Sequence, residues 1–178
     1  MKTVKPLILV LAILFASVTA TAQDFSKYET MKDVTSMVMT SKMFKLLNKI
    51  DVNSSDPEMQ NYVDLIENLN EIRVFVTDRS DVRTTMNADA KSYISSGGLE
   101  QLMRINEDGK AVNFYIKPGK NDDFVNELFM HLDGTEDGKP STVILQITGN
   151  INLKQVSKLA SDLKVPGSEE LKNIKKQK

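Results

Sequence analysis

Apolar and polar residues alternate along this chain with two periods, one typical of strands and one typical of helices. The segment Thr35–Thr40 alternates with a period of two, which predicts a strand, and Ser41 directly after it is suited to cap a helix. A second strand is predicted where apolar residues alternate with polar neighbours at Ile72, Val74 and Val76. The first half of the chain is therefore expected to contribute two strands to a sheet.

Four segments place apolar residues three or four positions apart, and this spacing predicts four helices with one apolar stripe each. The stripes are Met43, Leu46, Leu47 and Ile50; Met59, Tyr62, Val63, Ile66 and Leu69; Val82, Met86, Ala90, Tyr93 and Ile94; and Leu153, Val156, Leu159, Ala160 and Leu163. Gly97-Gly98 ends the third helix and Asn152 caps the fourth. Because a single stripe needs a single packing surface, the helices are expected to lie against a sheet.

After Gly98 the period changes to two, which predicts a run of strands. Their expected bounds are Leu99–Ile105, Ala111–Lys117, Phe124–Leu132 and Thr142–Gly149, separated by Asp108-Gly109, Pro118-Gly119 and Asp137-Gly138. Because such short connections join only antiparallel neighbours, a meander is predicted. The fold class is α+β, with an antiparallel or mixed sheet of about five to six strands and four helices packed against it. Alternation assigns to one buried face the residues Val112, Phe114, Ile116, Val143, Leu145 and Ile147.

The N-terminus has the order of a secretory signal peptide. Lys2 and Lys5 precede the apolar run Leu7–Val18, and small residues follow it up to Ala22. The run is shorter than the roughly 20 apolar residues that cross a bilayer, so we expect cleavage after Ala22, with an uncleaved anchor as the alternative. No later segment of the sequence is long or apolar enough to span a membrane. These features predict a soluble periplasmic or secreted protein without a transmembrane segment after cleavage.

The chain is accordingly divided into four parts. Residues 1–22 are the signal peptide, residues 23–34 a leader segment, residues 35–165 a single α+β domain, and residues 166–178 a charged tail. The lysines of the tail either are solvated or touch an anionic surface.

Composition excludes several kinds of partner and linkage. The chain has no cysteine, so neither a disulfide nor a lipid on cysteine can stabilise or anchor it. Its formal net charge is −1, and basic residues are interspersed with acidic ones rather than gathered in a stripe. Nucleic acid is therefore not an expected partner.

The segments Ser36–Phe44, Ile72–Phe75, Leu102–Tyr115 and Ile147–Leu153 carry a resemblance to a known family. They resemble the short exported bacterial proteins grouped as domain of unknown function 4252. The resemblance covers nearly all of the chain after the signal peptide, and most of the matching positions are core and turn residues. It implies the fold and export, and it implies no catalytic residue.

Few residues of the sequence are suited to catalysis, and we predict no catalytic residue and no cofactor. His131 is the only histidine, which excludes a zinc site built from histidines. Its strand neighbours belong to the predicted core, so His131 is expected to point to the other side and to be exposed. A hydrolase that uses carboxylates alone, Asp122 or Asp123 with Glu127, is the alternative.

One run resembles a calcium-binding loop. Asp133, Thr135 and Asp137 occupy its first, third and fifth positions, and Gly138 occupies the sixth. Position twelve should be a glutamate and is Ile144. The run is therefore either a weak calcium site or a polar hairpin turn.

Three methionines close in sequence, Met37, Met39 and Met43, could supply thioether ligands to Cu(I). Methionine also fills irregular apolar cores, and these positions fall on predicted apolar faces. Both interpretations stay open at this point.

Two functions of different classes fit the sequence. The favoured one is a non-catalytic binding or signalling module for an envelope protein, a peptide or a small ligand, because no catalytic constellation is recognised. The alternative is a carboxylate-dependent hydrolase of the cell envelope. A pocket with converging carboxylates would favour the hydrolase, and an exposed apolar patch would favour the binding module.

Overall fold

The computed structural model of the protein describes residues 24–50, 66–107, 109–121, 123–136 and 138–152. In this part of the chain a short 3-10 helix, Ser26–Tyr28, precedes six strands and two α-helices. The strands are β1 Thr35–Thr40, β2 Leu69–Thr77, β3 Glu100–Glu107, β4 Lys110–Asn121, β5 Phe124–Glu136 and β6 Lys139–Asn152. The helices are α1 Ser41–Ile50 and α2 Ser80–Ser96. The fold is α+β with strands predominating.

The described residues contain two α-helices, whereas the apolar spacing predicts four. The second and fourth predicted helices fall almost wholly on residues 51–65 and 153–178, outside the described residues. Leu69, the last residue of the second predicted stripe, instead begins β2 and pairs with Gly149 of β6. A buried apolar residue at the end of a helical stripe can equally belong to a strand. The pairing with β6 shows that Leu69 belongs to a strand.

All six strands form one antiparallel sheet in the order β1-β2-β6-β5-β4-β3. Strands β3 to β6 are consecutive neighbours, which confirms the predicted meander, and β2 and β1 extend the sheet beyond β6. Tight turns that contain Gly109 and Gly138 join β3 to β4 and β5 to β6. The φ angles of these glycines are 78° and 77°, in the left-handed region that such turns require. Within the described residues, the edge strands are β1 and β3.

One predicted turn is wrong. Pro118-Gly119 lies inside β4, and the chain turns later, between Asn121 and Phe124. The pairing register shifts on both sides of Pro118, and an irregularity of this kind tolerates a residue that has no N–H to donate. A Cβ on Gly119 would lie 2.6 Å from the carbonyl oxygen of Phe124, so the close approach of the two strands requires glycine here.

The larger core lies on the face of the sheet that we call the α1 face, because Phe44 of α1 packs into it. Five of the six residues predicted for one buried face are at most 1% exposed, and Ile116 is partly buried in the same core. The five are Val112, Phe114, Val143, Leu145 and Ile147. The predicted register of the meander is therefore confirmed.

The opposite face, which we call the α2 face, is also covered. Its core consists of Phe25, Tyr28, Phe75, Met86, Ala90, Phe129 and Ile144. Met86 and Ala90 belong to the stripe predicted for α2, and the helix ends where Gly97 donates its N–H to the carbonyl of Tyr93. The third predicted helix is thus confirmed, and the sheet is buried on both faces.

The segment assigned to a leader, residues 23–34, needs correction. Phe25 is 1% exposed and Tyr28 is 0% exposed, and both pack on the α2 face. The described part of this segment, from Asp24 onward, therefore belongs to the folded domain.

Two residues of the stripe predicted for α1 do not pack on the sheet, and the side chains of the other two, Leu47 and Ile50, are outside the described ones. Phe44 is 2% exposed, whereas Met43 and Leu46 of the stripe are 46% and 56% exposed. Helix α1 begins at the residue after β1 ends, and β1 is an edge strand. The edge of the sheet fixes the orientation of the helix, and of these three residues only Phe44 reaches the core.

Candidate functional site

Polar side chains lie among the apolar ones on the α2 face, between α2 and strands β5 and β6. They form two groups, separated along the strands by Phe129 and Ile144. We call them the glutamate cluster, which consists of Tyr93, Glu127 and Gln146, and the histidine cluster, which consists of Arg83, Asn87, His131, Asp133 and Thr142.

In the glutamate cluster a buried carboxylate accepts two hydrogen bonds. Glu127 is 5% exposed. The hydroxyl of Tyr93 donates to its Oε1 at 2.7 Å, and Nε2 of Gln146 donates to the same oxygen at 2.9 Å. Burial and the hydrogen bond to Glu127 raise the pKa of Tyr93, so the phenol stays protonated and acts as a donor at neutral pH.

The histidine cluster places the only histidine under α2. His131 is 7% exposed, and its Nε2 lies 2.7 Å from Oδ1 of Asn87. Asn87 also forms a hydrogen bond with the carboxylate of Asp133, which needs its amide N–H, so its oxygen is the acceptor for Nε2–H of His131. Burial lowers the pKa of His131, with Asp133 acting to raise it and Lys91 to lower it. The imidazole is therefore neutral at neutral pH, and the expectation that His131 is exposed is wrong.

Asp133 ties α2 to the two central strands. Nη2 of Arg83 donates to its Oδ1 at 2.9 Å, and the hydroxyl of Thr142 donates to the same oxygen at 2.9 Å. Partial burial raises the pKa of Asp133, but hydrogen bonds from Asn87, Arg83 and Thr142 outweigh this effect and hold the pKa below its usual value. Asp133 is thus an ionised carboxylate with three protein donors.

A third set of charged contacts holds the N-terminal segment. Arg73 of β2 lies 2.8 Å from Asp24 and 2.6 Å from Glu71. The hydroxyl of Tyr28 donates to Asp89 of α2. The contact of Arg73 with Asp24 and that of Tyr28 with Asp89 hold the segment on the sheet and on α2.

The described ligand residues of the calcium-loop candidate lie in β5. Asp133 and Thr135 lie in β5 opposite residues of β6, and Asp137 is outside the described residues. Alternate residues of a strand are about 6.8 Å apart, so Asp133 and Thr135 do not converge as loop ligands do. Among the described residues, no three histidine, cysteine, aspartate or glutamate side chains are grouped so that they could hold a metal ion.

The two described carboxylates of the hydrolase alternative have different surroundings. Asp123 is exposed in the turn before β5, and Glu127 is buried in the glutamate cluster. Asp122 is outside the described residues.

The three methionines proposed for Cu(I) also differ in their surroundings. Met39 is partly buried against the core of the α1 face, as the core interpretation predicts. Met37 and Met43 are 36% and 46% exposed, so they do not fill that core.

Exposed large hydrophobic side chains are found on two consecutive elements. In the described part of the chain they are Met37, Val38, Met43 and Leu46. All four lie on β1 or α1, and we call this region the β1–α1 surface. Its segment Thr35–Ile50 contains no acidic residue, and the exposed Lys42 and Lys45 flank the apolar side chains.

Sequence reasoning missed both polar clusters, because it assigned only one buried face to the sheet. The run Val143-Ile144-Leu145 gave a usable signal, since three consecutive apolar residues in a strand indicate burial on both faces. Polar residues of the second face then need partners, because buried polar groups are hydrogen-bonded. The β1–α1 surface had no such signal, since its residues read as core.

No helix in the described ranges combines the length and the apolar character needed to cross a membrane. No curated protein and no solved structure gives a significant match to this chain. The family described as Domain of unknown function (DUF4252) matches residues 28–159, which is well over half of the chain and includes every strand and both α-helices described above. This match confirms the resemblance found in the sequence. The chain belongs to the DUF4252 family.

Proposed function

We propose that this protein is a non-catalytic binding module of the bacterial envelope, and that the β1–α1 surface contacts its protein, peptide or small-ligand partner. The observation that carries the proposal is the distribution of exposed apolar side chains. In the described residues all four large ones, Met37, Val38, Met43 and Leu46, lie on β1 and α1. Grouped exposed apolar side chains with charged neighbours are typical of interaction sites.

The exposed side chains of α1 would add to the free energy of binding when a partner covers them. Full burial of a leucine or methionine side chain contributes about 1.5–3 kcal/mol. Met43 and Leu46 are about half exposed in the free protein, so covering both would contribute about 1.5–3 kcal/mol together. Lys42 and Lys45 beside them favour a partner that presents acidic groups.

The buried polar clusters support a binding role over the hydrolase alternative. Glu127, His131 and Asp133 each bond to side chains that hold α2 on the sheet. A general acid or base must reach a substrate, and Glu127 and His131 are 5% and 7% exposed beneath the helix.

The proposal includes export, which rests on the order of Lys2, Lys5, the apolar run Leu7–Val18 and the small residues up to Ala22. Mass spectrometry of the protein from the envelope fraction should find an N-terminus at Gln23. An intact N-terminus at Met1, or recovery from membranes alone, would contradict this part of the proposal.

Site-specific photo-crosslinking in cells tests the binding surface. A photo-reactive amino acid in place of Leu46 should give a discrete adduct with a second, different protein or ligand. The same amino acid in place of Ala88, an exposed residue of α2, is the matched control and should give none. The adduct at position 46 should disappear when Met43→Lys is added.

Equal adducts at both positions, or none at position 46, would overturn the assignment of the surface. A thermal melt of Met43→Lys serves as the folding control. Its melting temperature should not change, since Met43 is 46% exposed.

A further inference from the structure

The methionines of the described residues fall into two groups by exposure. Met37 and Met43 are 36% and 46% exposed, and both lie on the β1–α1 surface. The other five described methionines pack into or against one of the two cores, and they are Met31, Met39, Met86, Met103 and Met130. Among the described methionines, Met37 and Met43 are therefore the most open to small solutes.

Met37 and Met43 lie on the same side of the sheet. Met37 is two residues before Met39 in β1, and Met39 packs against the core of the α1 face, so Met37 also belongs to that face. Met43 belongs to α1, which packs on the same face through Phe44. A partner that covers the exposed side of α1 is therefore expected to lie beside both thioethers.

The composition of the chain makes methionine its preferred target for oxidation by hypochlorous acid. This oxidant reacts with cysteine and methionine ahead of other side chains, and the chain has no cysteine. The thioether sulfur loses two electrons and gains an oxygen atom, while the chlorine of hypochlorous acid gains two electrons and leaves as chloride with release of one proton. Methionine sulfoxide reductases reverse the change, since the oxygen leaves as water when two thiols of a reductant form a disulfide.

We propose that Met37 and Met43 form a reversible oxidation site, at which hypochlorous acid releases the partner of the β1–α1 surface. This inference rests on the function proposed above. A sulfoxide oxygen is a strong hydrogen-bond acceptor, so an apolar partner that covers it leaves a buried polar group without a donor. The free protein keeps its fold, because water solvates the new oxygen at these exposed positions.

Peptide mapping by mass spectrometry tests the site without a partner. The protein purified from the envelope fraction is titrated with hypochlorous acid, and the fraction of sulfoxide is measured at each methionine. Met37 and Met43 should be oxidised at doses that leave Met86 and Met130 intact, because the latter are 0% exposed. The melting temperature should not change over that range. Oxidation of Met86 or Met130 at the same dose as Met37 and Met43 would overturn the site.

Photo-crosslinking from position 46 tests the release of the partner. The purified protein with the photo-reactive amino acid in place of Leu46 is oxidised at that dose, freed of hypochlorous acid and mixed with envelope extract, so that the partner itself is never oxidised. The yield of the adduct should fall about tenfold, because the apolar contribution of the two methionines is lost. Treatment with a methionine sulfoxide reductase and dithiothreitol before mixing should restore the yield. Since the chain has no cysteine, dithiothreitol reduces no disulfide in it.

Two variants assign the effect to the surface methionines. In the variant that combines Met37→Leu with Met43→Leu, oxidation should not lower the adduct yield below that of the same variant before treatment, since leucine does not react. Met103→Leu, at a partly buried methionine of β3, is the matched control, and its adduct should be lost on oxidation as in the unchanged protein.

The outcomes separate this inference from the function on which it rests. An adduct that survives oxidation of both surface methionines, a loss that the reductase does not reverse, or an equal loss in the combined leucine variant would overturn the release of the partner by oxidation. Absence of an adduct before any oxidation would overturn the proposed function and the release together, and the peptide map would still decide whether Met37 and Met43 form the oxidation site.

Discussion

At the scale of single residues, the α2 face depends on buried polar side chains that bond to each other. Glu127 and His131 are the clearest cases, because both lie beneath α2 and both have a partner on that helix. Leaving a buried polar group without its partner costs about 1–3 kcal/mol, so removal of a single donor should be measurable.

Tyr93→Phe should lower the free energy of unfolding by about 1–3 kcal/mol, because Glu127 loses the hydroxyl donor at 2.7 Å and stays buried. Urea titration measures the change. Tyr115→Phe, on the same face of the sheet, is the control and should change stability by less than about 0.5 kcal/mol. Equal losses for the two variants would show that the hydroxyl of Tyr93 contributes nothing specific.

His131 should make the stability depend on pH. Burial lowers the pKa of His131 in the folded protein, whereas in the unfolded chain the value is about 6.5. Below about pH 6.5 the unfolded chain therefore binds a proton that the folded protein does not bind, and stability falls as the pH falls toward the folded pKa.

Urea midpoints at about pH 7.5 and about pH 5.5 test this dependence. His131→Gln keeps an N–H donor for Asn87 and cannot titrate, so its midpoint should fall less between the two pH values. The same fall in both proteins would exclude His131 as the cause. His131→Ala, in contrast, should cost about 1–3 kcal/mol, because the side chain is buried rather than exposed.

At the scale of elements, the N-terminal segment behaves as part of the core. The ring of Phe25 lies 5.1 Å from the ring of Tyr93 and 5.6 Å from the ring of Phe129, measured between centroids. Aromatic pairs at such distances contribute beyond the area that they bury. Residues 24–34 therefore help to hold α2 on the sheet.

Phe25→Ala should lower the free energy of unfolding by about 3–5 kcal/mol, the usual range for a fully buried phenylalanine. Lys32→Ala, an exposed change in the same segment, should stay within about 0.5 kcal/mol. Denaturant titration compares them. If both variants lost the same small amount of stability, residues 24–34 would not contribute to the fold.

Helix α1 shows that apolar residues at helical spacing are not all buried when the helix lies at the edge of a sheet. The spacing of Met43 and Leu46 predicts burial, yet only Phe44 of the three reaches the core. The helix follows an edge strand directly, so part of its apolar surface faces away from the sheet.

At the scale of the whole molecule, we expect substitutions on the β1–α1 surface to abolish function, and we expect substitutions of exposed carboxylates to preserve it. Leu46→Lys should abolish the biological function of the protein and leave its melting temperature unchanged, because Leu46 is 56% exposed. Asp123→Ala, in the exposed turn before β5, should preserve both. Complementation of a deletion strain, with a thermal melt of each variant, gives the comparison. Loss of function in Asp123→Ala at an unchanged melting temperature would favour the carboxylate-dependent hydrolase.

The sequence by itself determined the parts of this fold that depend on local chemistry. Turn glycines after aspartates set the two hairpins, strand alternation set the register of Val112, Phe114 and Leu145, and the Gly97-Gly98 pair set the end of α2. These features need only the conformational preferences of neighbouring residues and the period of a strand or helix.

The tertiary structure decided what covers each face, because alternation groups residues by face but does not say what packs on that face. The burial of His131 and Glu127, the packing of Phe25 and the exposure of Leu46 all depend on where α2, the N-terminal segment and α1 lie on the sheet. The candidate binding surface belongs to this second group. Its apolar residues look like core in the sequence, and only the position of β1 at the edge leaves them exposed.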